Sequence, residues 1–322
     1  MRATTVLERP TTTAPSSAEE FAPPATAPPV PVPSRGLRRL LQRHPVLAYY
    51  ALVIALSWGA LLPVTRGPLA TSEADRIANP LFLLAILAAP LAPTVASLLL
   101  TGLLDGRAGY RELLGRLLHW RVGAGWYAAA LLTAPLSTLA AAALLAALLR
   151  SPEFLPGIFT APDPLGLVLL GAAIGLVAGT FEELGWTGFA VPRLRRQHGL
   201  LATALPLGLI WGTWHFPAFW RADSFAGMLP LVLLLVQLFG WLPAYRVLLV
   251  AVHDRIRSLP VVILMHASLS ASRLILAQQG LSDAQSLTNL LTWAALLWVA
   301  AGVAVLADRR QPAERSLPVP PD

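Results

Sequence analysis

The chain is divided by a series of long stretches that carry almost no charge. Each runs for about 20 residues, the length of helix needed to cross the hydrocarbon core of a bilayer. Because a backbone in lipid must satisfy its own hydrogen bonds, such stretches fold as helices. The pattern therefore predicts an all-α, polytopic transmembrane helix bundle of about eight spans, at residues 45–65, 80–104, 125–149, 165–191, 200–220, 228–250, 259–278 and 288–307.

Composition narrows the function classes. Only 13% of the residues are charged, against roughly 25% in soluble domains. The absence of cysteine excludes thiol proteases, disulfide frameworks and thiolate metal sites. The pI near 10.9 does not imply a nucleic-acid partner, because the arginines lie between the apolar stretches, where loops of membrane proteins commonly carry them. Their bias towards alternate connections predicts a multi-pass protein of the plasma membrane with both termini cytoplasmic.

Three regions follow from this pattern. Residues 1–43 are polar and rich in proline, a composition typical of disordered segments, so we expect a disordered tail. Residues 44–308 form the transmembrane bundle, whose partner is the lipid bilayer. Residues 309–322 form a short C-terminal tail, expected in the cytoplasm.

Ionisable residues inside the apolar stretches are few. Of the 17 acidic residues and 6 histidines, only Glu182, Glu183, His215 and His266 are embedded. Groups of this kind usually face a bundle interior or a water-filled cavity and mark function. Glutamate and histidine together suit hydrolysis of an amide, proton-coupled transport, or a metal site of two histidines and one carboxylate. The structural alternative is a buried network that only holds the helices together.

The signatures of other intramembrane proteases are absent from the sequence. No histidine is followed by glutamate as a zinc protease motif requires, and no Gly-Asp pair lies within an apolar stretch. A Gly-x-Ser-Gly nucleophile is also missing. Amide hydrolysis, if it occurs here, depends on the glutamates and histidines.

Three motifs carry a resemblance to a known family. "EELGWTGF", "WGTWHFP" and "HASLS" follow one another on separate predicted spans within residues 165–280. In this order they resemble the CPBP intramembrane protease family, which includes the CAAX prenyl endopeptidases of the Rce type and the bacterial Abi proteins. The family pattern is E-E-x-x-x-R, then F-x-x-x-H, then H-x-x-x-N or a similar small polar residue.

The resemblance implies an intramembrane endopeptidase acting on a membrane peptide or protein. By position, Glu182 would activate water beside His215, and His266 and Ser270 would hydrogen-bond the oxyanion, with Glu183 as the second motif glutamate. No cofactor is certain. The family is commonly labelled a metalloprotease, although a metal-free, glutamate-dependent mechanism has also been argued. A divalent metal such as zinc at Glu182, His215 and His266 therefore remains an option.

The chain departs from the family pattern at three positions. Thr187 stands where the motif has arginine, Trp211 replaces phenylalanine, which we interpret as a mild change, and Ser270 replaces asparagine. The lost arginine favours a second hypothesis, a non-catalytic relative that binds membrane peptides in immunity or as a scaffold. A proton-coupled transporter is a third.

Two expectations concern geometry. Arg273 shares a helical face with His266 and Ser270. We predict that it pairs with Glu183 or Glu182 in place of the motif arginine. The alternative is that its side chain extends to the outer membrane–water interface. Counting along the spans places Glu182 and His215 towards opposite faces of the membrane. Their convergence therefore requires the fourth span to run long or to tilt, or the fifth to start deep.

Overall fold

The computed structural model describes residues 36–65 and 80–309, and all regular elements in these residues are helical. The α-helices, numbered here in chain order, are α1 Gly36–Arg43, α2 Pro45–Thr65, α3 Pro80–Ala88, α4 Leu91–Leu104, α5 Gly106–Leu117, α6 Ala124–Leu149, α7 Pro164–Gly185, α8 Val191–Arg195, α9 Leu200–Trp214, α10 Phe216–Phe219, α11 Met228–Phe239, α12 Leu242–Ile256, α13 Leu259–Ile275 and α14 Asp283–Arg309. Two short 3₁₀ turns, Pro152–Phe154 and Gly157–Phe159, lie between α6 and α7. The predicted all-α class is confirmed.

Five helical stretches are long and apolar enough to cross a membrane: Pro45–Val64, Ala124–Leu149, Pro164–Arg195, Met228–Ile256 and Asp283–Arg309. Three shorter apolar helices, Leu91–Leu104, Leu200–Trp214 and Leu259–Ile275, lie between them in the chain. Together they follow the order of the eight predicted stretches. The polytopic bundle is confirmed, while the side of the membrane on which each terminus lies stays a prediction.

The N-terminal boundary differs from the expected one. Helix α1 falls within the residues expected to be disordered, because "GLRRLLQR" alternates leucines and arginines at helical spacing. Leu41 packs against the core of the bundle while the arginines face outward. The predicted disorder of residues 1–35 and the predicted tail at residues 310–322 lie outside the described residues.

Helices α7 and α13 approach each other along a glycine seam. Gly171, Gly175 and Gly179 recur every four residues and so share one face of α7. A Cβ atom at any of them would collide with Ile275, Ala267 or the backbone of Ile263 on α13. Small residues at this spacing let membrane helices pack backbone to backbone. The seam ends just before the two glutamates, so it places them beside the middle of α13.

Helix α7 continues through a π-helical turn, Trp186–Ala190, into α8. All five residues of this turn are buried, and turns of this kind occur frequently at functional sites. The helical unit therefore runs from Pro164 to Arg195, beyond the predicted residues 165–191. Glu182 consequently lies near the middle of a long span, which removes the expected conflict with the position of His215.

The sixth apolar stretch is broken at Gly240 and Trp241, which separate α11 from α12. Pro243 lies in the first turn of α12, where its missing N–H costs no helical hydrogen bond. Helix α9 packs closely here, since a Cβ at Gly208 or Gly212 would meet Pro243 or Leu238. Arg246 lies near the end of the predicted span, residues 228–250, and the structure buries it completely within α12, most of whose residues are buried.

Candidate active site

Glu183 forms a buried ion pair with Arg246. Both side chains are 0% exposed, and Arg246 Nη1 lies 2.9 Å from Oε1 and 3.0 Å from Oε2 of the carboxylate. The Thr187 hydroxyl, one helical turn further along, also donates to Oε2. A carboxylate enclosed by these donors is held ionised and in a fixed orientation.

Arg246 supplies the positive charge that the family places at the position of Thr187. The predicted substitute, Arg273, is wrong: its guanidinium lies over the rings of Trp241 and Trp293, at 5.6 and 5.4 Å, and contacts neither glutamate. Arg246 arrives from α12 instead, with its Cζ 4.2 Å from the centre of the Trp211 ring. A charge missing from one helix is thus provided by another.

Glu182 differs from its neighbour in environment. It is 3% exposed and its Oε2 accepts a hydrogen bond from Trp211 Nε1 at 2.9 Å. Phenylalanine, the family residue at this position, has no N–H to donate. The interpretation of Trp211 as a mild replacement stays a prediction, and its indole N–H adds a hydrogen bond that orients the Glu182 carboxylate.

His266 lies between the two glutamates. Its Nδ1 is 2.7 Å from Glu183 Oε1, and its Nε2 is 3.7 Å from Glu182 Oε2, which is too long for a hydrogen bond. Since Arg246 keeps Glu183 ionised and acceptor-only, Nδ1 must carry the proton. A neutral His266 therefore presents a lone pair at Nε2, and only its imidazolium form can donate from that atom.

His215 lies at the C-terminal end of α9. Its Nδ1 is 2.8 Å from the carbonyl oxygen of Trp211. Because a carbonyl only accepts, Nδ1 carries the proton and Nε2 is the acceptor of the neutral ring. The ring packs edge-on against Trp211 and Trp214 and stacks on Phe219. These aromatic contacts fix its orientation.

These groups meet at a cavity of about 440 Å³. Four predicted site residues line it: Glu182, His215, His266 and Ser270. The fifth, Glu183, lies behind them in the enclosed network with Arg246. The rest of the wall is mainly aliphatic and aromatic, as expected of a small-molecule or peptide site with a few convergent polar groups. The predicted convergence of glutamate and both histidines is therefore observed.

The donor set proposed for zinc does not form a coordination group. Among residues 36–65 and 80–309, no cluster of three or more His, Cys, Asp or Glu side chains is arranged to hold a metal ion. Glu182 Oε2 is already engaged by Trp211, and His266 Nε2 stands 3.7 Å from it. Zinc at this cavity stays a prediction, and no step below is assigned to it.

Two residues of the site were missed from the sequence. Arg246 was not counted among the embedded ionisable residues, although it lies within the predicted span 228–250 and the run "WLPAYRVLLVAV" around it is otherwise uncharged, which is the signal of an embedded charge. Trp211 was interpreted only as a mild replacement of the motif phenylalanine. It contacts Glu182 and His215 by hydrogen bonds and His266 and Arg246 by its ring.

Sequence comparisons with known proteins match the part of the chain that contains this site. Residues 164–272 match the sequence model of a family described as Type II CAAX prenyl endopeptidase Rce1-like. A protein of Methanococcus maripaludis named CAAX prenyl protease 2 is 40% identical over 50 residues, 16% of this chain and 18% of the relative. The chain thus matches less than a fifth of that relative's length. The family match spans residues 164–272 and so contains Glu182, His215, Arg246 and His266; over this segment the chain is similar to CAAX prenyl endopeptidases, the family that its three motifs resemble.

Proposed function

We propose that this protein is an intramembrane endopeptidase that hydrolyses peptide bonds of membrane-associated substrates with water activated by Glu182. The family match supports an intramembrane protease in general. The assignment of Glu182 as the residue that activates water rests on one observation: the two adjacent glutamates lie in different environments. Glu183 is neutralised by Arg246 and enclosed, whereas Glu182 borders the cavity without a cationic partner in hydrogen-bond range among the described residues. Carboxylates separated in this way commonly divide structural and acid–base roles.

The first step is attack by water. A water molecule in the cavity donates one hydrogen bond to Glu182 and another to His215 Nε2, the acceptor atom of that ring. As its oxygen attacks the substrate carbonyl carbon, Glu182 takes its proton. Trp211 Nε1–H keeps the carboxylate aimed at the cavity, so its orientation is set before the substrate binds.

The second step stabilises the tetrahedral oxyanion. Ser270 lies one turn after His266 on α13, so both side chains reach the same wall. The Ser270 hydroxyl donates one hydrogen bond. His266, in its imidazolium form, donates a second hydrogen bond from Nε2. Its Nδ1–H continues to donate to Glu183. The four charges of Glu182, Glu183, Arg246 and His266 then sum to zero before water is deprotonated.

The third step breaks the peptide bond. The proton held by Glu182 passes to the leaving nitrogen as the carbon–nitrogen bond breaks. The products are a new carboxyl terminus and a free amine, and Glu182 returns to the carboxylate. No side chain forms a covalent bond with the substrate.

Arg246 weakens the main reason to favour a non-catalytic relative. That hypothesis depended on Thr187 in place of the motif arginine. With Arg246 on Glu183, the positive charge is restored from α12, and Thr187 contributes a hydrogen bond to the same carboxylate. The proton-coupled transporter gains no comparable support.

The test is cleavage of a membrane peptide by purified full-length protein in proteoliposomes. We expect Glu182→Gln to abolish cleavage while the protein remains folded, and Glu112→Gln, at an exposed glutamate on α5, to behave as the wild type. Cleavage that survives in Glu182→Gln would overturn the proposal. A wild type that binds the peptide tightly without cutting it would favour the non-catalytic alternative.

A further inference from the structure

A second cavity lies outside the candidate active site, between α5 and the end of the long helical unit of α7 and α8. Its volume is about 350 Å³. Its charged lining consists of three arginines, Arg116, Arg193 and Arg196, and two acids, Asp105 and Glu112. We call it the basic cavity. None of these five side chains takes part in the hydrolysis described above, so their convergence needs another explanation.

The positive charge of the basic cavity is only partly neutralised. Arg193 pairs with Asp105. Glu112 Oε1 stands 3.9 Å from Arg116 Nη2, and the Glu112 side chain is 58% exposed, so water screens this contact. Arg196 is exposed, and no carboxylate in the described part of the chain forms an ion pair with it. The cavity therefore keeps a net positive charge.

Arg116 joins the basic cavity to the π-helical turn. Its Nη2 donates a hydrogen bond to the carbonyl oxygen of Gly188 in that turn, at 2.9 Å. Its Nε and Nη1 are buried and have no hydrogen-bond partner among residues 36–65 and 80–309. Burial lowers the pKa of Arg116; Glu112 opposes this effect, and the nearby charges of Arg257 and Arg196 add to it. Unpaired donors on a buried cation are costly, so an anionic acceptor at this wall would stabilise the guanidinium.

The surroundings of the basic cavity favour a lipid as the source of that anion. Helix α5 buries Leu113 and exposes Leu114, and Leu118 and Trp120, just beyond its end, are also exposed. Apolar side chains and a tryptophan exposed beside arginines are typical of a helix that lies at the membrane–water interface. A phospholipid could place its phosphate in the cavity and its acyl chains against these side chains, whereas free phosphate would contact only the arginines.

We propose that the basic cavity binds the phosphate of an anionic phospholipid through Arg116, Arg193 and Arg196. Guanidinium groups match phosphate oxygens by paired hydrogen bonds, and basic pockets between membrane helices bind lipid headgroups in this way. Because the net charge of the cavity is positive, a headgroup with a net negative charge binds more tightly than a zwitterionic one. The bound phosphate also holds Arg116 against Gly188, which stabilises the π-helical turn.

The experiment measures lipid binding to the purified full-length protein in a nonionic detergent. The probes are dihexanoyl phosphatidylglycerol, which is anionic, dihexanoyl phosphatidylcholine, which is zwitterionic, and inorganic phosphate. Thermal unfolding is followed by tryptophan fluorescence at increasing probe concentration, because a ligand that binds the native state raises Tm. Native mass spectrometry counts the lipids that the protein retains.

The expected result is a preference for the anionic lipid. Half of the maximal rise in Tm should need a roughly fivefold lower concentration of phosphatidylglycerol than of phosphatidylcholine, the effect of about one unit of charge near a membrane surface. Phosphatidylglycerol should also be the lipid retained in the mass spectrum. Inorganic phosphate should raise Tm little, because it gains nothing from the exposed apolar side chains.

Variants test whether the arginines cause the preference. Arg196→Gln should raise the phosphatidylglycerol concentration that is needed roughly fivefold, while Tm without lipid stays unchanged. Arg196→Glu, which reverses the charge, should abolish the preference, and Arg116→Gln should weaken binding at least as much as Arg196→Gln. The matched control is Arg38→Gln, at an exposed arginine of α1 outside the basic cavity. It removes the same charge and should keep the wild-type response.

Three results would overturn the inference. The first is a wild type that responds equally to the two lipids, and the second is a response to inorganic phosphate as strong as that to phosphatidylglycerol. The third is a wild-type preference retained in both Arg196 variants. Should Arg116→Gln fail to fold, the two Arg196 variants alone decide. None of these outcomes depends on peptide cleavage, so this inference and the protease proposal can fail separately.

Discussion

Removing the arginine that faces Glu183 should destabilise the protein far more than removing an exposed one. Arg246 and Glu183 are both 0% exposed and 2.9–3.0 Å apart. Breaking such a pair by deleting one partner typically costs about 3–5 kcal/mol, because the remaining charge is left buried. We therefore expect Arg246→Met, which keeps a long apolar side chain, to lower the free energy of unfolding by that amount.

The measurement is denaturant unfolding of the purified protein in detergent. Arg38→Met, at an exposed arginine of α1, should change the free energy by less than about 0.5 kcal/mol. The double variant Arg246→Met/Glu183→Gln should recover a large part of the loss, since neither charge is then left alone. If Arg246→Met resembles the Arg38 control, or the double variant is no better than the single one, the ion pair does not have the importance assigned to it.

A third variant tests whether an arginine at position 187, where the family motif has one, can replace Arg246. Thr187 already contacts Glu183, so Thr187→Arg introduced into Arg246→Met places a guanidinium one turn from the same carboxylate. We expect partial recovery of both stability and cleavage. No recovery of either would mean that Arg246 acts through contacts other than the charge, such as its packing on Trp211.

The remaining predictions concern the cavity and the seam. Trp211→Phe removes the N–H that holds Glu182, and kcat should fall roughly ten- to hundredfold with KM little changed; an unchanged kcat would show that the hydrogen bond is dispensable. Ser270→Ala should lower kcat by about 10²–10³, and a serine-directed fluorophosphonate should form no adduct on Ser270 in the wild type. Gly175→Ala should cost about 1–3 kcal/mol by overpacking against Ala267, whereas Gly59→Ala, with nothing within 4 Å of the added atom, should not destabilise. Treatment with 1,10-phenanthroline tests the zinc option: a loss of cleavage that added zinc reverses would make the metal a cofactor, and cleavage that persists would count against it.

The sequence was sufficient for the class of fold and for much of the cavity wall. Charge-free stretches of membrane length have few alternatives to helices, and the rarity of embedded ionisable groups singled out Glu182, His215 and His266. These inferences depend on composition and on the order of residues along short stretches of chain, and a single sequence gives both.

The partners of the glutamates were harder to predict. Arg246 follows Glu183 by 63 residues, and nothing in the sequence states that α12 packs against α9 in a position from which Arg246 reaches Glu183 on α7. The break at Gly240 and Trp241 begins a new helix, α12, within the single predicted span, and Arg246 is buried in that helix. Arg273 was favoured because it shares a helical face with His266, but its guanidinium lies over the rings of Trp241 and Trp293 and contacts neither glutamate.

The distance along the chain between Glu183 and Arg246 also has a consequence for biogenesis. A chain grows at roughly 5–20 residues per second, so the 63 residues between them take about 3–13 s to appear. During that interval the α7 segment reaches the membrane before its counter-charge exists, and His266, 83 residues after Glu183, arrives later still. An unpaired carboxylate in hydrocarbon avoids its charge by taking up a proton. Glu183 therefore enters the bilayer neutral or sheltered by the insertion machinery. It ionises only when α12 docks and brings Arg246 to it. The docking of α12 is thus the step at which the site acquires its final charge state.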